Sequence, residues 1–309
     1  MSLYSKLQPK GPSGFGYGST AEDVTAGLSL AGKTFLVTGC NSGLGLETAR
    51  VLAMRGGRIV GTARTAEKAS AALAALGGNT VGVECELAEP RSVRAGVKAV
   101  KAALGGAKID ALICNAGIMA LPTLEQKFGV ELQLFTNHVG HFMLVTGLLD
   151  HLADAGRVVM LSSRAHLRAP KGGIEFDNLS GERDYAPWKA YGQSKIANLL
   201  FAKELARRLE GTGKTANSLH PGVIFTNLSR HMNPVARVAF RTIAFLMMKN
   251  VGEGAATQCY VAVHPTAAAI SGKYFADCNV ARPRADGTDA ATAARLWSAT
   301  EEIVSRLPA

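Results

Sequence analysis

The spacing of hydrophobic and polar positions along the chain changes period repeatedly, and the changes fall at regular intervals. Lys33-Thr-Phe-Leu-Val-Thr38 is an apolar run of strand length that stops at Gly39-Cys-Asn-Ser-Gly43-Leu-Gly45, after which a helical period runs from Leu46 to Arg55. Further apolar runs predict strands over Arg58 to Ala63, Thr80 to Glu84, Ile109 to Cys114, Arg157 to Leu161 and Thr215 to Leu219. Between them the period predicts helices over Ala66 to Leu76, Pro90 to Leu104 and Tyr191 to Arg208, and one long helical stretch from Glu125 to Leu152. Ser19-Thr20-Ala21-Glu22-Asp23 has the composition of a helix cap before Val24, inside a polar, glycine-rich segment.

Strands that read as continuous apolar runs, each followed by a helix, specify parallel pairing with both faces covered. The handedness of the crossovers then leaves a doubly wound sheet as the simplest topology. The expectation is an α/β fold: one Rossmann-type domain with a parallel sheet of about seven strands and helices on both faces. Residues 1–31 are expected to form an N-terminal arm and 32–309 the catalytic domain, undivided by linker or repeat. The first strand, glycine turn and helix form the opening unit of a dinucleotide-binding fold, in which backbone N–H groups at a helix start face a pyrophosphate.

Composition narrows the reading. The chain has 309 residues, enough for a large core, and 47% of them are hydrophobic, as in ordinary globular proteins. Its formal charge of +10 is spread over many helices with no accompanying aromatic stripe, so nucleic acid is not an expected partner. Cys40, Cys85, Cys114, Cys259 and Cys278 lack C-x-x-C spacing and read as reduced structural thiols, consistent with a cytoplasmic setting. No metal-ligand set is expected. No apolar stretch approaches the length of a membrane span, and the N-terminus lacks the apolar core of a secretion signal.

The candidate chemistry centres on Tyr191-Gly-Gln-Ser-Lys195. Residues four apart on a helix share a face, so the phenol and the ammonium can address one small volume. A cation there favours the phenolate, making a group that ordinarily titrates near ~10 a usable acid or base. His138 and His141 lie on an apolar helix and are expected to pack rather than to react.

At these residues the chain resembles the short-chain dehydrogenase/reductase family, from Lys33 onward. Thr38-Gly-Cys-Asn-Ser-Gly43-Leu-Gly45 resembles its T-G-x-x-x-G-x-G loop, Asn115-Ala-Gly117 its N-A-G motif, and Tyr191 with Lys195 its Y-x-x-x-K. Asn137 matches the family's helix asparagine, Ser163 its serine, and Pro221-Gly222 with Thr226 its P-G-x-x-x-T loop. The stretches Cys114-Asn-Ala-Gly-Ile-Met119, Asn137-His-Val-Gly-His-Phe142, Ser162-Ser-Arg-Ala-His166 and Gly272-Lys-Tyr-Phe-Ala-Asp-Cys278 are most similar to the retinol dehydrogenase and oxidoreductase-domain group. Glu86 departs from the family's usual aspartate after the third strand, and Cys114 from the first asparagine of N-N-A-G.

The resemblance implies hydride transfer between a nicotinamide dinucleotide and an alcohol or carbonyl compound. It makes Tyr191 the acid/base, Lys195 its partner and a ribose contact, Ser163 the group that bonds the substrate oxygen, and Asn137 part of a relay through water. It places Gly39, Asn41, Ser42, Gly43, Leu44, Gly45, Glu86, Leu87, Asn115, Ala116, Gly117, Pro221, Gly222, Val223 and Thr226 against the cofactor, together with Tyr191 and Lys195. At the end of the second strand, Gly61-Thr62-Ala63-Arg64 offers no carboxylate for a ribose 2′-hydroxyl, and Arg64 favours NADP over NAD. An apolar segment near 225–251 is expected to form a substrate lid over a hydrophobic molecule, with a subunit contact, a core helix or a membrane-surface patch as its other readings. The polar loop from Arg164 to Pro187 is expected to wall one side of the pocket. Reduction of a carbon–carbon double bond, as in protochlorophyllide reductases, and a non-catalytic cofactor-binding regulator are the alternatives. Family members are often dimers or tetramers, so a homo-oligomer is expected.

Overall fold

The computed structural model describes Tyr4 and residues 8–223 and 248–308. The chain opens with α1 (Ala21–Val24), whose start is closed by a reciprocal capping box between Thr20 and Asp23. Ala21 and Val24 are buried, so this part of the segment read from sequence as an arm lies against the body of the fold. The alternation then follows as β1 (Thr34–Thr38), α2 (Gly43–Met54), β2 (Arg58–Ala63), α3 (Ala66–Ala74), β3 (Thr80–Glu84), α4 (Pro90–Leu104) and β4 (Ile109–Cys114). Proline at the first position of α4 and left-handed Gly105 after its end mark both limits chemically.

The long helix expected from Glu125 to Leu152 is instead composite. A hairpin of β5 (Gln126–Lys127) and β6 (Val130–Glu131) comes first, turned by Phe128 and Gly129 at positive φ. Glu131 then accepts from the Leu134 backbone N–H and starts α5 (Leu132–Leu134), which passes through a π-helical turn, Phe135–Val139, into α6 (Gly140–Leu148). Next come β7 (Leu152–Leu161), α7 (Pro187–Arg208) and β8 (Thr215–His220), and after the undescribed stretch α8 (Val251–Val263). The short strands β9 (Tyr274–Ala276) and β10 (Asn279–Ala281) precede α9 (Ala290–Ser305).

The sheet order is β10-β9-β8-β7-β4-β1-β2-β3, parallel except for the β9–β10 pair, which gives eight strands where about seven were expected. The eighth is the edge strand β10, only three residues long and too short to register as a period in the sequence. Side-chain alternation divides the interior into two cores. Leu36, Leu112, Val158 and Met160 face α4, α6, α7 and α9, whereas Phe35, Val37, Ile113, Val159 and Leu161 face α1, α2 and α8. Strand order reverses between β1 and β4, and a crevice opens at their carboxyl ends, the position at which such sheets bind ligands. Among the described residues no helix is long and apolar enough to cross a membrane.

Candidate active site

The turn after β1 is shaped by what a side chain would strike. A Cβ at Gly45 would come within 2.5 Å of Asn115 Nδ2 and closer still to the Gly39 carbonyl oxygen, so α2 can start this near β4 only with glycine there. Ser42, at the N-cap of α2, makes no side-chain capping bond, which leaves the first N–H groups of that helix for another acceptor. Thr38 joins the two strand ends: its Oγ1 accepts from the backbone N–H groups of Asn115 and Ala116, each at 2.9 Å, and lies 2.9 Å from His141 Nε2. The Asn115 amide in turn donates to the Thr38 carbonyl at 2.8 Å. The sequence shows this threonine only as the start of the glycine loop, because its anchoring role needs β4 and α6 beside it.

From this turn a cavity of about 930 Å³ extends to α7. Gly39, Asn41, Ser42, Leu44, Arg64, Glu86, Leu87, Asn115, Ala116, Gly117, Ser163, Tyr191, Lys195, Pro221, Gly222 and Val223 all line it. Gly43 and Gly45 shape the turn without facing the cavity, Asn137 stands behind its wall, and Thr226 lies outside the described residues. Residues from Arg164 to Arg168, a short 3-10 helix, form part of the opposite wall as expected of that loop. Met119 and Trp188, the latter in none of the stretches that carry the resemblance, join them.

One end of the cavity is built on α7. Pro187 starts that helix, and Tyr191 and Lys195 are both buried on its inner face. Ser163 lies close enough to the Tyr191 hydroxyl to favour its ionised form, whereas the neighbouring Ser162 donates to the Lys195 backbone carbonyl at 2.7 Å. The pair of serines therefore divides into one that faces the phenol and one that ties β7 to α7. Lys195 Nζ stands 5.5 Å from the centre of the Tyr191 ring and donates to the Leu161 carbonyl at 3.2 Å.

Burial pushes the Lys195 ammonium down to about 8, because a cation without water around it is destabilised. Burial also pushes the Tyr191 hydroxyl up, partly offset by Ser163. The spacing had suggested the opposite direction for the tyrosine. Helical geometry brings Lys195 to the same volume, but desolvation of the phenolate sets the direction of the shift, opposed only by Ser163.

Asn137 sits in the π-helical turn. Its amide donates to the Ile118 carbonyl and to Ser194 Oγ, both at 2.9 Å, and its Oδ1 accepts from the Ile118 N–H at 2.9 Å. Both amide donors are thus spent on the loop after β4 and on α7, and its backbone carbonyl lies 3.0 Å from His141 Nδ1. His138 and His141 are fully buried and held neutral, pushed down to about 3 and about 4 by desolvation first. As expected from the apolar helix, they pack and bond locally, His138 to Thr300 at 2.9 Å.

The loop after β8 is fixed from below. His220 Nδ1 accepts from the Gly222 N–H at 3.0 Å and burial pushes its imidazole down to about 4, which keeps it neutral and able to accept. Lys249 is buried, donates its backbone N–H to the Val223 carbonyl at 3.0 Å and pairs with Asp277 at 2.6 Å. A Cβ at Gly222 would meet the Lys249 stem at 2.6 Å, so Pro221-Gly222-Val223 rests directly on that side chain.

Residues 33–236 match the short chain dehydrogenase family. The chain belongs to that family. Among short-chain dehydrogenase relatives, TIC 32 B, chloroplastic, of Brassica napus is 40% identical over all of both chains. Human retinol dehydrogenase 14 is 38% identical, with 90% of this chain and 88% of that protein covered. A solved short chain dehydrogenase from Burkholderia cenocepacia, in complex with NADP, is 27% identical over 80% of this chain and 96% of its own, with a TM-score of 0.64. Membership in the short-chain dehydrogenase family makes the protein an NAD(P)-dependent oxidoreductase.

Proposed function

We propose that the protein is an NADP-dependent oxidoreductase that interconverts an alcohol and a carbonyl group on a hydrophobic small molecule. The observation that carries this reading is the convergence on one cavity of Tyr191, Ser163 and Lys195 with the glycine turn. The residues fit a dinucleotide. The start of α2 lacks a side-chain cap, Gly45 lets it approach β4, and Arg64 lines the cavity after β2 with no carboxylate paired to it among the described residues. Gly39 to Gly45 would hold the pyrophosphate, Glu86 and Leu87 the adenine side, Arg64 the 2′-phosphate, and Asn115 to Gly117 with Pro221 to Val223 and Thr226 the nicotinamide side.

When bound, the cofactor supplies the hydride acceptor or donor. The chain's residues manage the proton and the charge. In the reducing direction Tyr191 donates its proton to the carbonyl oxygen, and Ser163 donates a hydrogen bond to that oxygen as negative charge develops. Lys195 keeps a cation beside the phenolate that results and would hold the ribose hydroxyls of the cofactor. Asn137 acts as a positioning residue, holding Ile118 and α7 in register around the phenol. Because burial raises the Tyr191 pKa, the proton stays on the phenol at neutral pH, which suits reduction. The buried thiols suit a reducing cytoplasmic setting, and assembly as a dimer or tetramer completes the reading.

Two measurements test it together. NADPH absorbance is followed with a panel of hydrophobic aldehydes, ketones and enones, and NADPH and NADH affinities are compared in the wild type and in Arg64→Ala. Turnover of aldehydes or ketones, with NADPH bound more tightly and Arg64→Ala removing that preference, is expected. Turnover confined to enones would replace the carbonyl assignment, and equal affinities unaffected by the substitution would remove the NADP assignment.

A further inference from the structure

The far wall of the cavity holds two cations that the proposed chemistry does not use. Arg164 and Arg168 lie on the 3-10 helix that follows Ser163, and both side chains line the cavity. Among the described residues neither pairs with a carboxylate. Glu86, the sole acid among the lining residues, sits after β3, at the other end from β7, with β4, β1 and β2 intervening. Two acids stand near this wall, and both are committed elsewhere: Asp277, through Tyr274 and His220, to Lys249 at 2.6 Å, and Asp286, beside His166, to Arg284 at 2.6 Å. The stretch 224–247 contains no aspartate or glutamate in its sequence, so it brings no carboxylate to neutralise them.

Arg168 is also tied to Tyr191 through an aromatic bridge. The Arg168 guanidinium lies 4.9 Å from the Trp188 ring centre, and Trp188 meets the Tyr191 ring edge-on at 6.1 Å. A guanidinium stacked on an indole keeps its in-plane N–H donors free for a carboxylate or phosphate. Large apolar side chains flank it: Met119, Leu167 and Trp188 are 42%, 50% and 42% exposed, although each lines the cavity. This wall of the cavity therefore combines exposed apolar surface with cations that no carboxylate neutralises.

We propose that Arg164 and Arg168 form an anion subsite, so that the substrate is an amphipathic carbonyl or alcohol carrying a carboxylate or phosphate at the end remote from the reacting carbon. This inference rests on the oxidoreductase reading above and narrows its substrate class from hydrophobic to anionic amphiphile. Charge-assisted hydrogen bonds at a half-open wall support roughly a tenfold preference for an anionic over a neutral probe, weakening as salt rises.

The test uses NADPH with a medium-chain ω-oxo fatty acid and its methyl ester, which share the aldehyde and the apolar spacer. Wild type is expected to show a kcat/KM ratio of acid to ester of roughly ten, mainly through KM, and Arg164→Gln with Arg168→Gln to bring the ratio close to one. A wild-type ratio at or below one overturns the subsite while leaving the oxidoreductase reading intact. The subsite is equally overturned if the substitutions lower both probes in parallel or raise the KM for NADPH instead. Failure of the wild type to reduce either probe or any panel aldehyde counts against the parent reading itself. Flotation with anionic vesicles, abolished by the same substitutions and accompanied by no acid preference, would reassign the two arginines to a lipid surface.

Discussion

Lys195 is a buried cation whose cost can be measured separately from its catalytic use. Its folded-state pKa is about 8 against an ordinary 10.5, which corresponds to about 3 kcal/mol of destabilisation while the group is charged. The sign follows from linkage. Below about 8 the lysine is protonated in both folded and unfolded chains and the full cost is present; between about 8 and 10.5 the unfolded chain holds the proton and the folded one does not, so stability rises with pH. Lys195→Met removes the cation and keeps most of the volume. It also leaves no orphan, since the Leu161 carbonyl that Lys195 Nζ contacts still accepts from Asn198 Nδ2 at 2.9 Å. Urea denaturation of the cofactor-free variant at pH 7 is expected to show it about 2–3 kcal/mol more stable than wild type, with no turnover. The difference should shrink steadily as pH is raised through 8 towards 10.5. A variant that is less stable at pH 7, or a difference that does not change with pH, would refute the argument that this lysine is held charged at a cost.

Other consequences follow from the glycine turn and its anchor. Gly45→Ala drives a methyl into the Gly39 carbonyl and the Asn115 amide and should weaken NADPH binding by at least about tenfold, read by fluorescence titration. Retained affinity would mean that α2 need not approach β4 so closely. Thr38→Val strands the Asn115 and Ala116 N–H groups that Thr38 Oγ1 receives and should cost about 1–3 kcal/mol in denaturant unfolding. A near-neutral result would show that water replaces the hydroxyl.

The parts of this molecule that local pattern could reveal are those in which one segment contains both the signal and the consequence. Strands β1 to β4 announce themselves as apolar runs, and the glycine turn sits where the period changes. Tyr191 and Lys195 share a face because a helix puts them there. The composite region before β7 was opaque for the converse reason. Gln126 to Leu148 is apolar enough to read as one helix, and what breaks it is a turn with Phe128 in the left-handed region and Glu131 capping Leu134, both settled by packing. The direction of the Tyr191 shift was likewise invisible, since spacing shows the lysine but not the depth of burial. Trp188 and Arg168 belong to no motif, and their place on the cavity wall comes from the return of α7 beside β7.

The central claim is that Tyr191 delivers the proton that accompanies hydride transfer. Single-turnover oxidation of bound NADPH by an aldehyde, in wild type and Tyr191→Phe, addresses it most directly. With Ser163 left in place and only the hydroxyl removed, the rate should fall by roughly 10²–10⁴-fold while NADPH still binds. A Tyr191→Phe enzyme that oxidises NADPH at close to the wild-type rate would contradict the account.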